Sequence, residues 1–327
     1  MRSITRTERI FLLLASIATT TAITAGDAEN VIKEPGTSFL ESVKTVQVGD
    51  IKMAYQVLGQ GEPLVMITGL NAAMDLWDRR FLDDLSSNYQ VIIFDSRGVG
   101  YTTASSTNFS IGQFANDTAG LMDALGIERA NILGYSLGTF VAQELAINHP
   151  EKVKRLILFA GNCGGSQAIQ PAPAIFRAIP DLSDPSNLTP QELTEFFEIM
   201  FPPEWLARNP DVYKTFSQAR ESSSPENMKR QTLAVVLWPG SYDRLDRIKA
   251  PTMIVAGMKD AIIPAENSLV LAERINGSWL VRLDNAGHGL IYQYPNELAK
   301  IIIDFIDFFP DTPPLSDGAD KSGLGSK

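Results

Sequence analysis

An alternation limits what this chain can fold into more than any other feature. From about Lys44 to Gly161, short apolar runs take turns with stretches of helical character. Val43–Val48 and Ile51–Val57 read as two antiparallel strands that turn at Gly49-Asp50. Leu64–Thr68, Val91–Phe94, Asn131–Leu133 and Val153–Phe159 are nearly unbroken apolar runs, as expected of parallel strands buried on both faces. Between them lie helical segments around Asp78–Ser86, Ile111–Leu125 and Leu137–Asn148. Strand and helix in this order predict right-handed βαβ units and an α/β fold with a doubly wound, mostly parallel sheet.

The rhythm breaks after that. From about Gly164 to Asp246 the chain is proline-punctuated and helical, with no convincing strand. Thr189-Pro190-Gln191-Glu192 is a strong helix start, with Thr as N-cap, Pro at the first position and Glu at the third. Ser224-Pro225-Glu226 opens another helix in the same way. This insert predicts a helical cap over the active edge of the sheet. The alternation then resumes with Thr252–Ala256, a helix from about Pro264 to Ile275, the strand Ser278–Leu283 and a last helix through Ile301–Phe309. The expected organisation is a core in two parts, 27–163 and 247–310, interrupted by a cap at 164–246 and followed by a disordered tail at 311–327.

The N-terminus predicts an export leader over residues 1–26. Arg2, Arg6 and Arg9 precede an apolar stretch from Ile10 to Ala25, and small residues follow at a plausible cleavage zone. The stretch is short and threonine-rich for a spanning helix, which needs about 20 apolar residues. An uncleaved anchor is the alternative and the only route to a membrane. Four Asn-x-Ser/Thr sequons, at Asn108, Asn116, Asn187 and Asn276, matter only in a glycosylating host.

Composition excludes several functions. The formal charge of −10 leaves no basic cluster for phosphate contacts, so nucleic acid is not an expected partner. The single cysteine, Cys163, allows no internal disulfide and no cysteine-cluster metal site. With only two histidines a His-rich metal centre is not expected either, and no cofactor is called for.

Gly134-Tyr135-Ser136-Leu137-Gly138 sits between a predicted strand and a predicted helix, the context of a nucleophile elbow. The crowded turn admits only small residues two places either side of the serine. It also aims the first amides of the helix at the hydroxyl, where they hold an anion. Serine needs a base within hydrogen-bond reach, and there are two candidates. His149 closes the helix that Ser136 opens, so about twelve helical residues place it some 18 Å away. His288, in Asn285-Ala286-Gly287-His288-Gly289, follows the last strand at the carboxyl edge, where the elbow also opens. His288 is therefore the base. The third member, which orients the imidazole, is Asp260, after the strand Thr252–Ala256; the chain order Ser, Asp, His suits this fold. Asp284, four residues before His288, reads as a solvated loop charge. The oxyanion hole needs two amide donors. Leu137, after the nucleophile, supplies one; Leu70, after the strand Leu64–Thr68, supplies the other, with Asn71 as the alternative.

Thr68-Gly69-Leu70, Asp95-Ser96-Arg97-Gly98-Val99-Gly100, Gly134–Gly138, Gly257–Asp260 and Gly287-His288, in this order, resemble the α/β-hydrolase superfamily in its capped branch of esterases, lactonases and cofactor-free haloperoxidase-like proteins. The resemblance runs from about Val46 to Phe309 and implies a serine hydrolase acting on a small ester-like substrate. One departure is Thr68-Gly69, where the family commonly has His-Gly. Ser136 argues against the haloalkane dehalogenase branch, whose elbow carries Asp. A prolyl-aminopeptidase-like peptidase is a minor alternative, since that branch usually has Trp beside its serine and this chain has Tyr135 and Leu137. A receptor-like protein with slow hydrolysis is the alternative of a different class. Trp77 and Tyr135 are the expected substrate contacts, and Met74, Phe196, Phe197, Met200 and Trp205 are further candidates for an acyl pocket. Arg97 reads as a structural ion pair before a substrate contact, and Cys163 as packing.

Overall fold

The computed structural model describes residues 43–106, 108–173, 175, 189–212 and 223–309. The expected leader, the expected tail and the sequon at Asn187 lie outside the described residues, as do parts of the expected cap.

Eight strands form one sheet: β1 (Lys44–Val48), β2 (Ile51–Leu58), β3 (Pro63–Ile67), β4 (Gln90–Phe94), β5 (Ala130–Tyr135), β6 (Val153–Phe159), β7 (Thr252–Gly257) and β8 (Trp279–Leu283), in the order β1-β2-β4-β3-β5-β6-β7-β8. The β1–β2 and β2–β4 pairs are antiparallel, and every pair from β4 onward is parallel. Both faces of the parallel strands are buried. Met66, Leu133, Met253 and Val255 join one cluster with Phe81, Leu82 and Leu85 of α1 (Arg79–Ser86). Their neighbours Val65, Ile67, Ile132 and Ile254 join another with α2 (Ile111–Ala124) and α3 (Leu137–Asn148). Alternate residues therefore feed opposite cores, which is why these strands read as unbroken apolar runs.

Helix starts follow local chemistry. Ser110 accepts the Gln113 amide at the head of α2, and Asp78 accepts the Arg80 and Phe81 amides at the head of α1. Between β6 and β7 the described residues hold helices and no strand. α4 (Pro190–Met200) opens on a capping box between Thr189 and Glu192, and α5 (Pro225–Val236) opens on Ser224, which accepts the Asn227 amide. The last two long helices are α6 (Glu266–Arg274) and α7 (Pro295–Phe308). The last helix starts six residues earlier than the apolar run Ile301–Phe309 suggests. Pro295 takes the first helical position, where its missing N–H costs nothing.

The order of strands positions the site. The chain leaves β3 for β4 on one side and then crosses to β5 on the other, so β3 and β5 flank the point where winding reverses. Crevices that bind ligands open there, beyond the strands' carboxyl ends. The register pairs Ile67 with Gly134, so the segments after β3 and β5 leave the sheet side by side. They leave it in close contact. A Cβ on Gly138 would lie 2.2 Å from the Ile67 carbonyl oxygen, and one on Gly134 would lie 2.3 Å from the Gly138 carbonyl oxygen. Neither clash is relieved by a side-chain rotation, because the opposing atoms are backbone. Gly138→Ala is expected to destabilise the protein by about 2 kcal/mol or more, measured from the midpoint of denaturant unfolding. An unchanged midpoint would contradict this account of the turn.

Candidate active site

Ser136 stands between β5 and α3 with φ 55° and ψ −117°, a conformation non-glycine residues rarely adopt, at a cost of about 1–3 kcal/mol. The turn is tied down on both sides. The Ser136 amide donates to the Phe159 carbonyl at 2.9 Å, and Thr139 Oγ1 donates to the Ser136 carbonyl at 2.7 Å. The strain is thus borne by β6 and the first turn of α3.

Three side chains from three loops meet at the carboxyl edge. His288 Nε2 lies 3.1 Å from Ser136 Oγ, and His288 Nδ1 lies 2.8 Å from Asp260 Oδ2. The other Asp260 oxygen accepts the amides of Ile262 at 2.9 Å and Ile263 at 2.8 Å, which fixes the carboxylate plane. An acceptor at Nδ1 selects the tautomer with its proton there, leaving the Nε2 lone pair for the serine hydroxyl. All three residues are buried. Their loops also pack on each other. The Lys259 amide donates to the Ala286 carbonyl at 2.8 Å, and a Cβ on Gly257 would lie 2.5 Å from that same oxygen.

The expected oxyanion residues line one pocket with Ser136. That pocket encloses about 440 Å³ including its solvent mouth, and Leu70, Leu137, Val235 and Ile262 are among its walls. Among the described residues neither the Leu70 nor the Leu137 amide has an acceptor within the protein. The alternative donor is occupied: the Asn71 amide donates to Gln231 Oε1 of α5 at 2.7 Å. Thr68 has a local role, its hydroxyl donating to the Ala72 carbonyl at 2.7 Å and closing the loop after β3.

Other expectations meet different surroundings. Tyr135 and Trp77 do not appear among the described walls of this pocket. Tyr135 donates its hydroxyl to the His288 carbonyl at 2.9 Å, and burial raises its pKa well above the ordinary phenol value. It steadies the histidine loop. Trp77 packs on Phe81 and Tyr135 with ring centres 6.2 and 6.1 Å away. Met74, Phe196, Phe197 and Met200 are buried in the same apolar core, with Trp205 packed against it. Their helical spacing reported packing. His149 caps α3 and contacts Asn116 Oδ1 at 2.8 Å, and Asp284 is exposed. Arg97 is buried in ion pairs with Asp117 at 2.7 Å and Asp50 at 2.8 Å. Cys163 is buried, and loss of water pushes its thiol up to about 11.

A family model described as alpha/beta hydrolase fold matches residues 62–295. The chain belongs to the α/β-hydrolase fold family. It is 28% identical over 288 residues to the 2-hydroxy-6-oxo-6-phenylhexa-2,4-dienoate hydrolase of Comamonas testosteroni, covering 84% of this chain and 98% of the relative. A thermophilic esterase from Thermogutta terrifontis superposes with TM-score 0.69 at 23% identity, over 82% of this chain and 98% of that one. The enol-lactonase from Burkholderia xenovorans LB400 does so with TM-score 0.67 at 22% identity, over 81% and 100%. At these identities the two structures speak for the fold.

In this hydrolase-fold protein, a second buried carboxylate organises the active edge. Asp95, at the end of β4, accepts the Met74 amide at 2.7 Å and the Tyr101 amide at 2.9 Å, joining the loop after β3 to the loop after β4. A Cβ on Gly100 would lie 2.4 Å from Asp95 Oδ2, which is why glycine stands there. Burial raises the Asp95 carboxyl to about 7, against the opposing pull of those two amides. A folded-state value above the unfolded one means that the folded protein holds this proton between about pH 4 and 7. The group's contribution to stability is therefore greatest at the acidic end and declines as pH rises toward 7. Asp95→Asn removes this titration. The stability of wild type relative to the variant is expected to fall as pH rises from 4 to 7, measured by denaturant unfolding. A difference independent of pH would refute it.

Proposed function

We propose that this protein is a serine hydrolase that cleaves a small, uncharged ester or lactone through an acyl-enzyme intermediate. The observation that carries the reading is the unbroken hydrogen-bonded path from Asp260 through His288 to Ser136. Ser136 Oγ attacks the substrate carbonyl carbon while its proton passes to His288 Nε2. The oxyanion is held by the Leu70 and Leu137 amides. Collapse re-forms the carbonyl and breaks the bond from its carbon to the alkoxy oxygen, which leaves as alcohol with the Nε2 proton. Water then gives a proton to Nε2 and its oxygen to the acyl carbon. The carboxylic acid departs, and the proton returns to Ser136 Oγ. Asp260 accepts from Nδ1 throughout and stabilises the imidazolium whenever Nε2 carries the proton.

The described pocket walls favour a neutral substrate. Besides Ser136 and the oxyanion residues they are Phe140, Ile169, Pro171, Val235, Ile262 and Ile263, with Asn162 and Gln170 polar. No lysine or arginine is among them, whereas the Comamonas relative is named for a dienoate, a carboxylate anion. A basic and then apolar start over residues 1–26 supports export from the cytoplasm as part of the same reading.

The test is turnover of a short p-nitrophenyl ester and of a neutral lactone by wild type, Ser136→Ala and His288→Ala. Both substitutions are expected to lower kcat by about 10³-fold or more, with unfolding midpoints near that of wild type. Retention of wild-type kcat by Ser136→Ala would rule the nucleophile out. Turnover of the carboxylate-bearing dienoate and of neither neutral substrate would rule out the substrate class.

A further inference from the structure

We propose that Gln231, on cap helix α5, is a positioning residue that sets the oxyanion hole from above; this rests on the serine hydrolase reading. The loop after β3 has a specific mechanical problem. Asn71 is held at φ 53°, in the left-handed region, and it is buried. Neither polar atom of its side chain has a partner. Among the described residues, the bond from its amide to Gln231 Oε1 at 2.7 Å is the one hydrogen bond Asn71 makes. Because a peptide unit is planar, holding the Asn71 N–H also holds the Leu70 carbonyl on the opposite side. It settles as well which amide remains for an oxyanion: that of Leu70, one peptide earlier.

Gln231 is itself held. It is 1% exposed, and its Nε2 donates to the Arg97 carbonyl at 3.4 Å, in the loop after β4. Arg230, one residue before, donates to the Ser105 carbonyl at 2.7 Å and lies 3.9 Å above the Phe109 ring. α5 is thereby docked on the loops after β3 and β4. One turn further along the same face, Val235 forms part of the wall beside Ser136. A single helix face thus carries both a pocket wall and the clamp on the oxyanion loop, so the seating of the cap and the competence of the hole are coupled. Only a residue with an acceptor at this reach serves, and a glutamine side chain offers one without placing a charge in the interior.

The experiment compares wild type, Gln231→Met and Gln231→Glu as purified full chains. Met keeps the length and loses the acceptor, whereas Glu, neutral when buried, keeps an acceptor for the Asn71 amide and an O–H for the Arg97 carbonyl. With a short p-nitrophenyl ester, Gln231→Met is expected to lower kcat about 10- to 100-fold, less than outright loss of an oxyanion donor, with KM within about twofold. Affinity for a boronic acid that mimics the tetrahedral intermediate is expected to weaken by a similar factor. Gln231→Glu is expected to recover kcat to within about threefold of wild type. Unchanged kcat in Gln231→Met overturns the proposal. So does a rise in KM alone, the signature of a pocket wall, and so does a Glu variant no better than Met at equal thermal stability. If the Met variant does not fold, amide hydrogen exchange in folded wild type carries the test: a protected Asn71 N–H supports the clamp, and exchange at the rate of an open amide overturns it. The two readings fail differently. Wild-type turnover that Ser136→Ala leaves intact defeats the serine hydrolase and the clamp with it. Turnover that needs Ser136 but ignores Gln231 defeats the clamp alone.

Discussion

The active edge depends on a backbone contact, the approach of α3 to the end of β3. Ile67 pairs with Gly134, and Gly138 sits so close to the Ile67 carbonyl that no side chain fits between them. That contact puts the loop bearing Leu70 beside the turn bearing Ser136. The serine in that turn holds a conformation that only a tightly bonded surround sustains. The Phe159 carbonyl and the Thr139 hydroxyl supply that surround, so strain at one residue is met by the sheet and the helix on either side.

The remaining chemistry is delivered to this fixed point. β7 and β8 pair in parallel, Gly257 opposite Leu283, so the loops holding Asp260 and His288 emerge next to each other. Their own contacts keep the imidazole in place: Lys259 to Ala286, Tyr135 to the His288 carbonyl, and the Gly289 amide to the Met200 carbonyl at the end of α4. That last bond ties the histidine loop to the cap, as Gln231 ties the loop after β3 to it. Buried carboxylates do two different jobs here. Asp260 is hydrogen-bonded to an imidazole at 2.8 Å, whereas Asp95 accepts backbone amides at 2.7 and 2.9 Å and acts as a strut.

The sheet and the three side chains at its edge were legible because their signals are local. Doubly buried strands announce themselves as apolar runs, Gly134 and Gly138 mark a crowded turn, and two histidines leave little to choose between. Asp260 was reachable because the loop after β6 offers no carboxylate. Contacts that depend on tertiary placement were not legible. Trp77 and Tyr135 are expected as substrate contacts; both belong to the apolar core, and Tyr135 also donates to the His288 carbonyl. Gln231 gave no signal, being one polar residue in an amphipathic helix until its partner 160 positions earlier is seen. The helix Pro295–Phe308 was only partly seen, because its first turn is polar and only its later turns carry an apolar run.

The most direct measurement is a crystal structure of the protein after reaction with a small fluorophosphonate. Phosphorus is expected on Ser136 Oγ, with the phosphoryl oxygen within hydrogen-bond distance of both the Leu70 and Leu137 amides and the Asn71 amide still on Gln231. A phosphonate on another residue, or on Ser136 with that oxygen turned away from Leu70 and Leu137, would contradict it.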